Sequence, residues 1–209
     1  MKSFRETPCL EIVVATRNPG KLKEIAAILA FASARFLSLQ EFPEIPEILE
    51  DGKTFSENAL KKARTIARLT RRITVADDSG LTVDALEGRP GIYSSRYAGE
   101  NASDEDRYRK LLREVESIPE GKRGGAFVCA AALASPSGDA DVVVAEWRGT
   151  ITFAPRGANG FGYDPIFFIP EMNKTVAELD PAVKNKISHR AQALAKLRQI
   201  LPKFLLMVS

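Results

Sequence analysis

Short apolar runs alternate along the chain with longer segments in which apolar residues return every three or four positions. Leu10 to Ala15 has the length and composition of a buried strand, and Gly20 to Ala30 places Leu22, Ile25, Ala26 and Leu29 on one face of a helix. Thr54 opens a second helix, with Glu57 completing a capping box and Leu60, Ala63 and Ala67 along one side; its Lys and Arg side chains are expected to face water. Ile73 to Ala76 predicts a buried strand that Gly80 ends in a sharp reversal, leaving Asp77, Asp78 and Ser79 at the strand's end. Leu81 to Val83 resumes an apolar pattern, and a turn at Gly88 to Gly91 precedes Ile92 to Tyr97, whose rings and hydroxyls either pack or bind. Ser103 caps a third helix with Tyr108, Leu111, Leu112 and Val115 inside; its acidic first turn, Asp104-Glu105-Asp106, suits the helix dipole and reads as structural. Residues 125–134 and 141–153 predict an antiparallel hairpin about a Ser-Pro-Ser-Gly turn, with Trp147 as a packing residue. Ser188 caps a closing helix with Leu194, Leu197 and Leu201 inside. Strands interleaved with helices make this an α/β chain.

Composition narrows the partners. With 209 residues and 44% hydrophobic content, the chain fits one domain of two closely joined lobes, residues 1–209, with 1–9 as a short N-terminal extension. A net charge of +3 spread without a basic block weakly suits a polyanionic small ligand and argues against a stable nucleic-acid partner. Cys9 and Cys129 match no zinc spacing and read as small apolar residues. The first eight residues hold no apolar run, and no segment is long enough to cross a membrane, so the expected setting is a reducing cytoplasm.

Four stretches carry candidate chemistry. Thr16-Arg17-Asn18-Pro19-Gly20-Lys21 joins a strand to a helix, where backbone amides, the helix end and Lys21 suit phosphate; it lacks the P-loop and GxGxxG patterns, and the alternative is a turn with a solvated lysine. The acidic loop Glu41 to Asp51, interrupted by Pro43 and Pro46, can bring one carboxylate to Asp78 and share a divalent cation with it. Adjacent strand residues face opposite ways, so only one of Asp77 and Asp78 enters a cleft. Gly160-Phe161-Gly162-Tyr163-Asp164 offers rings for stacking on a base, while Lys184, His189 and Arg190 gather near the last helix. Cations at a helix start oppose its dipole, which suggests that a ligand uses His189 and Arg190; the alternative for His189 is a satisfied core residue.

Taken together in one order, T-x-N-x-x-K at Thr16 to Lys21, ADDSGL at Ala76 to Leu81, GFGYDPIF at Gly160 to Phe167 and KxxISHR at Lys184 to Arg190 resemble the inosine/xanthosine triphosphate pyrophosphatase family. TFSENALKKA at Thr54 to Ala63 and PGIYSSRYAG at Pro90 to Gly99 extend the resemblance from about residue 11 to the end. It implies a twisted mixed sheet flanked by helices, two lobes with the cleft between them, and cleavage of non-standard purine triphosphates (ITP, dITP, XTP) to monophosphate and pyrophosphate. It further implies Asp78 as the catalytic carboxylate, Mg2+ held by Asp78 and Glu50, with Glu41 as the alternative, and a homodimer. Thr16, Arg17, Asn18, Pro19, Gly20 and Lys21 then form the triphosphate loop, and Ser79 contacts substrate. Phe161, Gly162, Tyr163 and Asp164 bind the base, and Lys184, His189 and Arg190 complete the substrate site. Arg17 stands where many relatives carry a small residue. Rival readings are a pyrophosphatase for another nucleotide and a nucleotide-binding module without turnover.

Overall fold

The computed structural model describes residues 10–29 and 34–205. Seven strands form one mixed sheet in the order β2-β1-β3-β4-β5-β6-β7: β1 Leu10–Val14, β2 Ala34–Ser38, β3 Ile73–Val83, β4 Gly124–Ala134, β5 Ala140–Ile151, β6 Phe167–Ile169 and β7 Lys174–Thr175. β1 runs parallel to β2 and β3, and every later pairing is antiparallel. The helices are α1 Pro19–Leu29, α2 Phe55–Thr70, α3 Asp104–Glu114, α4 Pro181–Ile187 and α5 His189–Leu205. The proposed extension with Cys9, and Ala30 at the end of the first predicted helix, lie outside the described residues.

Side-chain alternation sorts the helices onto the two faces of the sheet. Ile12, Val14, Ile73 and Val75 pack beneath α1 and α5 with Ile25, Leu29, Leu194, Leu197 and Leu201. Val13, Ala15 and Ala76 face the other way, against Ala59, Ala63, Ile66 and Ala67 of α2. Farther along β3 and β4 a third cluster, including Leu81, Val83, Leu111, Phe127, Ile166 and Phe167, forms the core of the second lobe. Both long strands therefore belong to both lobes.

Gly80 does not reverse the chain. β3 continues through it in register with β4, pairing Asp77 with Ala131, Asp78 with Ala130 and Gly80 with Val128. Glycine is needed there because a Cβ would stand 2.6 Å from the Gly91 carbonyl oxygen and closer still to Ser94 Oγ. That close approach seats the 3-10 segment Gly91–Arg96 against the strand, with Ser94 Oγ accepting the Leu81 amide at 2.9 Å. β1 pairs with β3 only from Ile73 to Val75, so β3 outruns its parallel neighbour just before the two aspartates. The exposed flank of β3 and the carboxyl end of β1 thus bound one hollow, the position at which open α/β sheets bind ligands.

Local signals mostly behave as expected. Ser103 and Asp106 close a reciprocal capping box on α3. Thr54 caps α2 through the Glu57 amide, but the Glu57 carboxylate accepts from Lys53 N at 2.7 Å instead of closing the box on Thr54. The hairpin joins β4 to β5 through Ser135 to Asp139, and Trp147 packs edge-on against Phe167. No described helix is long and apolar enough to cross a membrane.

Candidate active site

A cleft of about 810 Å3 opens between the lobes, a size usual for small-molecule sites. Its walls come from the loop after β1, the end of the acidic loop, the middle of β3, the Gly91–Arg96 segment, the glycine-rich loop and the start of α5.

In the loop after β1, Asn18 Oδ1 accepts the Gly20 and Lys21 amides at 2.9 and 3.1 Å, while the Asn18 amide donates to Thr16 Oγ1 at 3.2 Å. The amides expected to cradle phosphate are thus engaged in capping α1. What the loop still offers an anion is side-chain charge and the positive helix end. Lys21 provides that charge, held 3.1 Å from Asp77 Oδ2 at the cleft wall. Arg17 reaches across and donates to the Ile45 carbonyl at 2.6 Å, tying this loop to the acidic one.

The two aspartates take opposite faces, as alternation requires. Asp77 is fully buried toward α1 and α5, against Lys21, Arg190 and the Ser79 hydroxyl, which donates to it at 3.0 Å. Burial opposes its charge, but Lys21, Arg190 and Lys62 outweigh that and hold its carboxyl well below the usual range. Asp78 faces α2 and lines the cleft. Asn58 Nδ2 donates to its Oδ2 at 3.0 Å, and Lys62 Nζ stands 3.9 Å from its Oδ1. Here burial prevails over Lys62 and Lys21 and pushes the Asp78 carboxyl upward, making it a better proton acceptor than an exposed aspartate.

Lys62 corrects the expectation that the cations of α2 face water. It is 9% exposed, donates to Glu50 Oε1 at 2.5 Å and to the Asp77 carbonyl at 2.7 Å, and joins Glu50 to Asp78. Burial works against its charge, yet Asp78, Glu50 and Asp77 raise its affinity for the proton. Glu50 therefore reaches the centre, whereas Glu41 accepts the Ser38 amide at 2.9 Å, pairs with Arg35 at 3.1 Å and does not line the cleft.

On the opposite wall, Phe161 lies against Gly20, where a Cβ would stand 2.7 Å from the ring, and Lys184 Nζ is 4.6 Å from the ring centroid. Asp164 is buried, accepting the Phe161 amide at 2.9 Å and Lys184 Nζ at 2.6 Å; burial pushes its carboxyl upward against the pull of Lys184. Tyr163 differs from the exposed ring expected of it. It packs into the second lobe and donates its hydroxyl to the Ser94 carbonyl at 2.9 Å.

Beneath the cleft runs an alternating chain of buried charges: Lys21, Asp77, Arg190, Glu24, Lys184, Asp164. Arg190 is 1% exposed and gives its hydrogens to Asp77, Glu24 and Ser79 Oγ. Those carboxylates offset its unfavourable place at a helix start, so the dipole argument for a ligand there loses its force. His189 stacks on Phe127 with ring centroids 4.9 Å apart and an interplanar angle of 15°, leaving Nδ1 without a partner. Burial first, then Arg190 and Lys184, lower its proton affinity well below that of free histidine, so it is neutral.

That neutrality makes a stability prediction. The unfolded chain protonates His189 near pH 6.5, whereas the folded chain resists, so folding loses stability as pH falls below that value. Replacing His189 with Phe should remove the effect. The stability difference between the two proteins in urea should change by about 1.4 kcal/mol per pH unit between roughly pH 6.5 and 5. Parallel stability curves would contradict a buried neutral histidine.

Sequence reasoning passed over Asn58 and Glu24 and expected Lys62 to face water. Lys62 had a visible signal, since it falls among Ala59, Ala63 and Ile66 on the apolar face of α2. Glu24 similarly follows Lys21 by one helical turn, beside Ile25.

Comparison with known proteins places the chain in a family. The model of the Ham1 family matches residues 12–200. The dITP/XTP pyrophosphatase of Geobacter sulfurreducens is 56% identical over 187 residues, covering 90% of this chain and 94% of that protein. Its counterpart from Geobacillus kaustophilus is 52% identical, with coverages of 90% and 92%. The solved structure of a HAM1 protein from Coxiella burnetii superposes with a TM-score of 0.84 at 45% identity, covering 93% of this chain and 99% of that one. With the family model spanning nearly the whole chain, and the fold shared with a solved member, this protein belongs to the Ham1 family.

Proposed function

We propose that this protein hydrolyses non-standard purine nucleoside triphosphates, ITP, dITP and XTP, to the monophosphate and pyrophosphate, so keeping these bases out of DNA and RNA. The observation that carries the reading is Asp78, a buried carboxylate of raised proton affinity, set between Lys62 and Glu50 in a cleft whose other wall holds Phe161 and His189. Relatives about half identical over nine-tenths of the chain bear the name dITP/XTP pyrophosphatase.

A triphosphate entering beside Thr16 to Lys21 meets Lys21 and Lys62, which neutralise part of its charge. Asp78 accepts a hydrogen bond from a water and aligns it on the α-phosphorus as the bond to pyrophosphate breaks; because a carboxylate that also holds a metal loses basicity, its main role is positioning, and the water's proton passes through it to solvent. Glu50 and Asp78 are hard oxygen donors already gathered about a cation, Lys62, which is the charge pattern a divalent-ion site needs. They would hold Mg2+, whose chemistry when bound is to neutralise the phosphates and stabilise the leaving pyrophosphate.

On the base side, Phe161 offers a face for stacking. Hypoxanthine and xanthine present an acceptor oxygen at C6, where adenine presents an amino donor. Because four of the five Arg190 hydrogens are committed, a His189 N–H is the better candidate to donate to that oxygen. An adenine amino group would face a donor there, a mismatch that can discriminate by roughly 10⁴–10⁵.

Incubating the protein with ITP, dITP, XTP, ATP and GTP in Mg2+, and following pyrophosphate and orthophosphate separately, tests this directly. Pyrophosphate release from the first three, lost on chelating the metal, is expected. A preference for ATP, or release of orthophosphate alone, would overturn it, and binding without release would identify a regulatory module. A homodimer in the cytoplasm completes the proposal, and sedimentation equilibrium checks the dimer.

A further inference from the structure

We infer that Asp104, in the first turn of α3, is a positioning residue for base recognition that acts through Gly162 and Phe161; the inference rests on the nucleotide reading above. The sequence presents Asp104 as one of three acids that suit a helix start. In the structure the three divide their tasks: Asp106 closes the capping box with Ser103, Glu105 pairs with Arg109, and Asp104 turns into the cleft wall.

There its Oδ2 accepts the Gly162 amide at 2.7 Å, while its other oxygen pairs with Arg107, whose Nη2 is anchored on the Ala102 carbonyl at 2.6 Å. Most other ties of the glycine-rich loop are to nearby chain: Arg156 N to Pro165 O at 2.9 Å, Asn159 N to Ala177 O at 3.0 Å, and Phe161 N to Asp164 Oδ2 at 2.9 Å. Among the side-chain hydrogen bonds of the described residues, Gly162 to Asp104 and Tyr163 to Ser94 connect this crest to the Gly91–Glu114 side of the cleft. Tyr163 is also a core residue, whereas the Asp104 side chain is 44% exposed, so shortening it opens no core cavity.

The bond matters because of what it restrains. Gly162 has φ of +64° and nothing within 4 Å of where a Cβ would be, so no side chain of its own, nor any neighbour at that position, limits its rotation. Phe161 precedes it directly. A charge-assisted bond to the Gly162 amide fixes the peptide that follows Phe161, and with it the seat of the ring on Gly20 and Lys184. Base affinity and base choice then depend on Asp104, while binding of the phosphate tail does not.

Asp104→Ala and Asp104→Asn separate this from a helix-dipole role, because asparagine keeps an acceptor for Gly162 but loses the charge and, with its NH2 toward Arg107, the pairing there. The alanine variant should raise KM for ITP about tenfold with kcat little changed, and lower the preference for ITP over ATP. Its inhibition by inorganic tripolyphosphate, which has no base, should stay as in the wild type. Asparagine should restore KM to within about threefold, and hydrogen exchange of residues 160–164 in the ligand-free protein should quicken in the alanine variant only. Equal behaviour of the two variants, an unchanged KM and ITP preference, or equal weakening of tripolyphosphate would overturn the inference. Absence of ITP turnover in the wild type would defeat the nucleotide reading instead, and unchanged Gly162 exchange in Asp104→Ala would then defeat the latch separately.

Discussion

Asp78→Asn should lower kcat for ITP by roughly 10²–10⁴-fold, the range expected when a positioned acid-base group is removed, while leaving the protein as stable as before or more so. Asparagine keeps an oxygen to accept the Asn58 bond and occupies the same volume, so β3 and α2 have no cause to move. The stability side follows from the direction of the pKa shift. A carboxyl whose folded pKa is raised favours folding while protonated, and loses that contribution as pH climbs from about 4 through its folded value. At neutral pH an ionised Asp78 therefore costs stability, which an uncharged amide recovers. Thermal melts and steady-state kinetics on the same preparations check both halves. Near-normal turnover would assign the chemistry elsewhere, and a large fall in melting temperature would make Asp78 a structural residue.

The order of strands and helices was legible because its signals are local. Apolar runs, caps at Thr54 and Ser103, and the Ser-Pro-Ser-Gly turn each depend on residues a few positions apart. Gly80 misled because a glycine after Asp-Asp-Ser looks like a turn. Its actual cause is the approach of Gly91 and Ser94, whose distance in sequence hides it. Lys62 misled for a different reason: charged residues on amphipathic helices usually face water, and it takes Asp78 and Asp77 of β3 together with Glu50 of the acidic loop to make burial of an ammonium tolerable. The opposite facing of Asp77 and Asp78, by contrast, needed nothing beyond strand alternation. What remained invisible was pairing at long range, above all the Lys21 to Asp164 chain of charges, since a sequence shows which charges exist but not which of them meet.

That chain sets the expectation for Asp77→Asn. Among the described residues, Asp77 is the one carboxylate that both Lys21 and Arg190 contact within 4 Å, and its side chain has no exposed surface. An asparagine amide would direct hydrogens at two buried cations or leave its oxygen to serve both without charge. Removing one partner from a buried ion pair costs about 3–5 kcal/mol, because the other charge stays desolvated and uncompensated. Glu24 and Ser79 still hold Arg190, which places the expected loss near the lower figure, a fall of roughly 6–12 °C in melting temperature for a chain of this size. The loss should also vanish in acid: the depressed pKa of Asp77 means that its stabilisation is complete above about pH 4 and disappears as pH falls toward its folded value. Urea unfolding of both proteins at neutral pH and in steps below pH 4 should therefore show the two stabilities converging. Kinetically, Asp77→Asn should retain far more turnover than Asp78→Asn below its melting temperature, since Asp77 does not itself line the cleft. A stable Asp77→Asn without turnover, beside an unstable but active Asp78→Asn, would exchange the roles of the two aspartates.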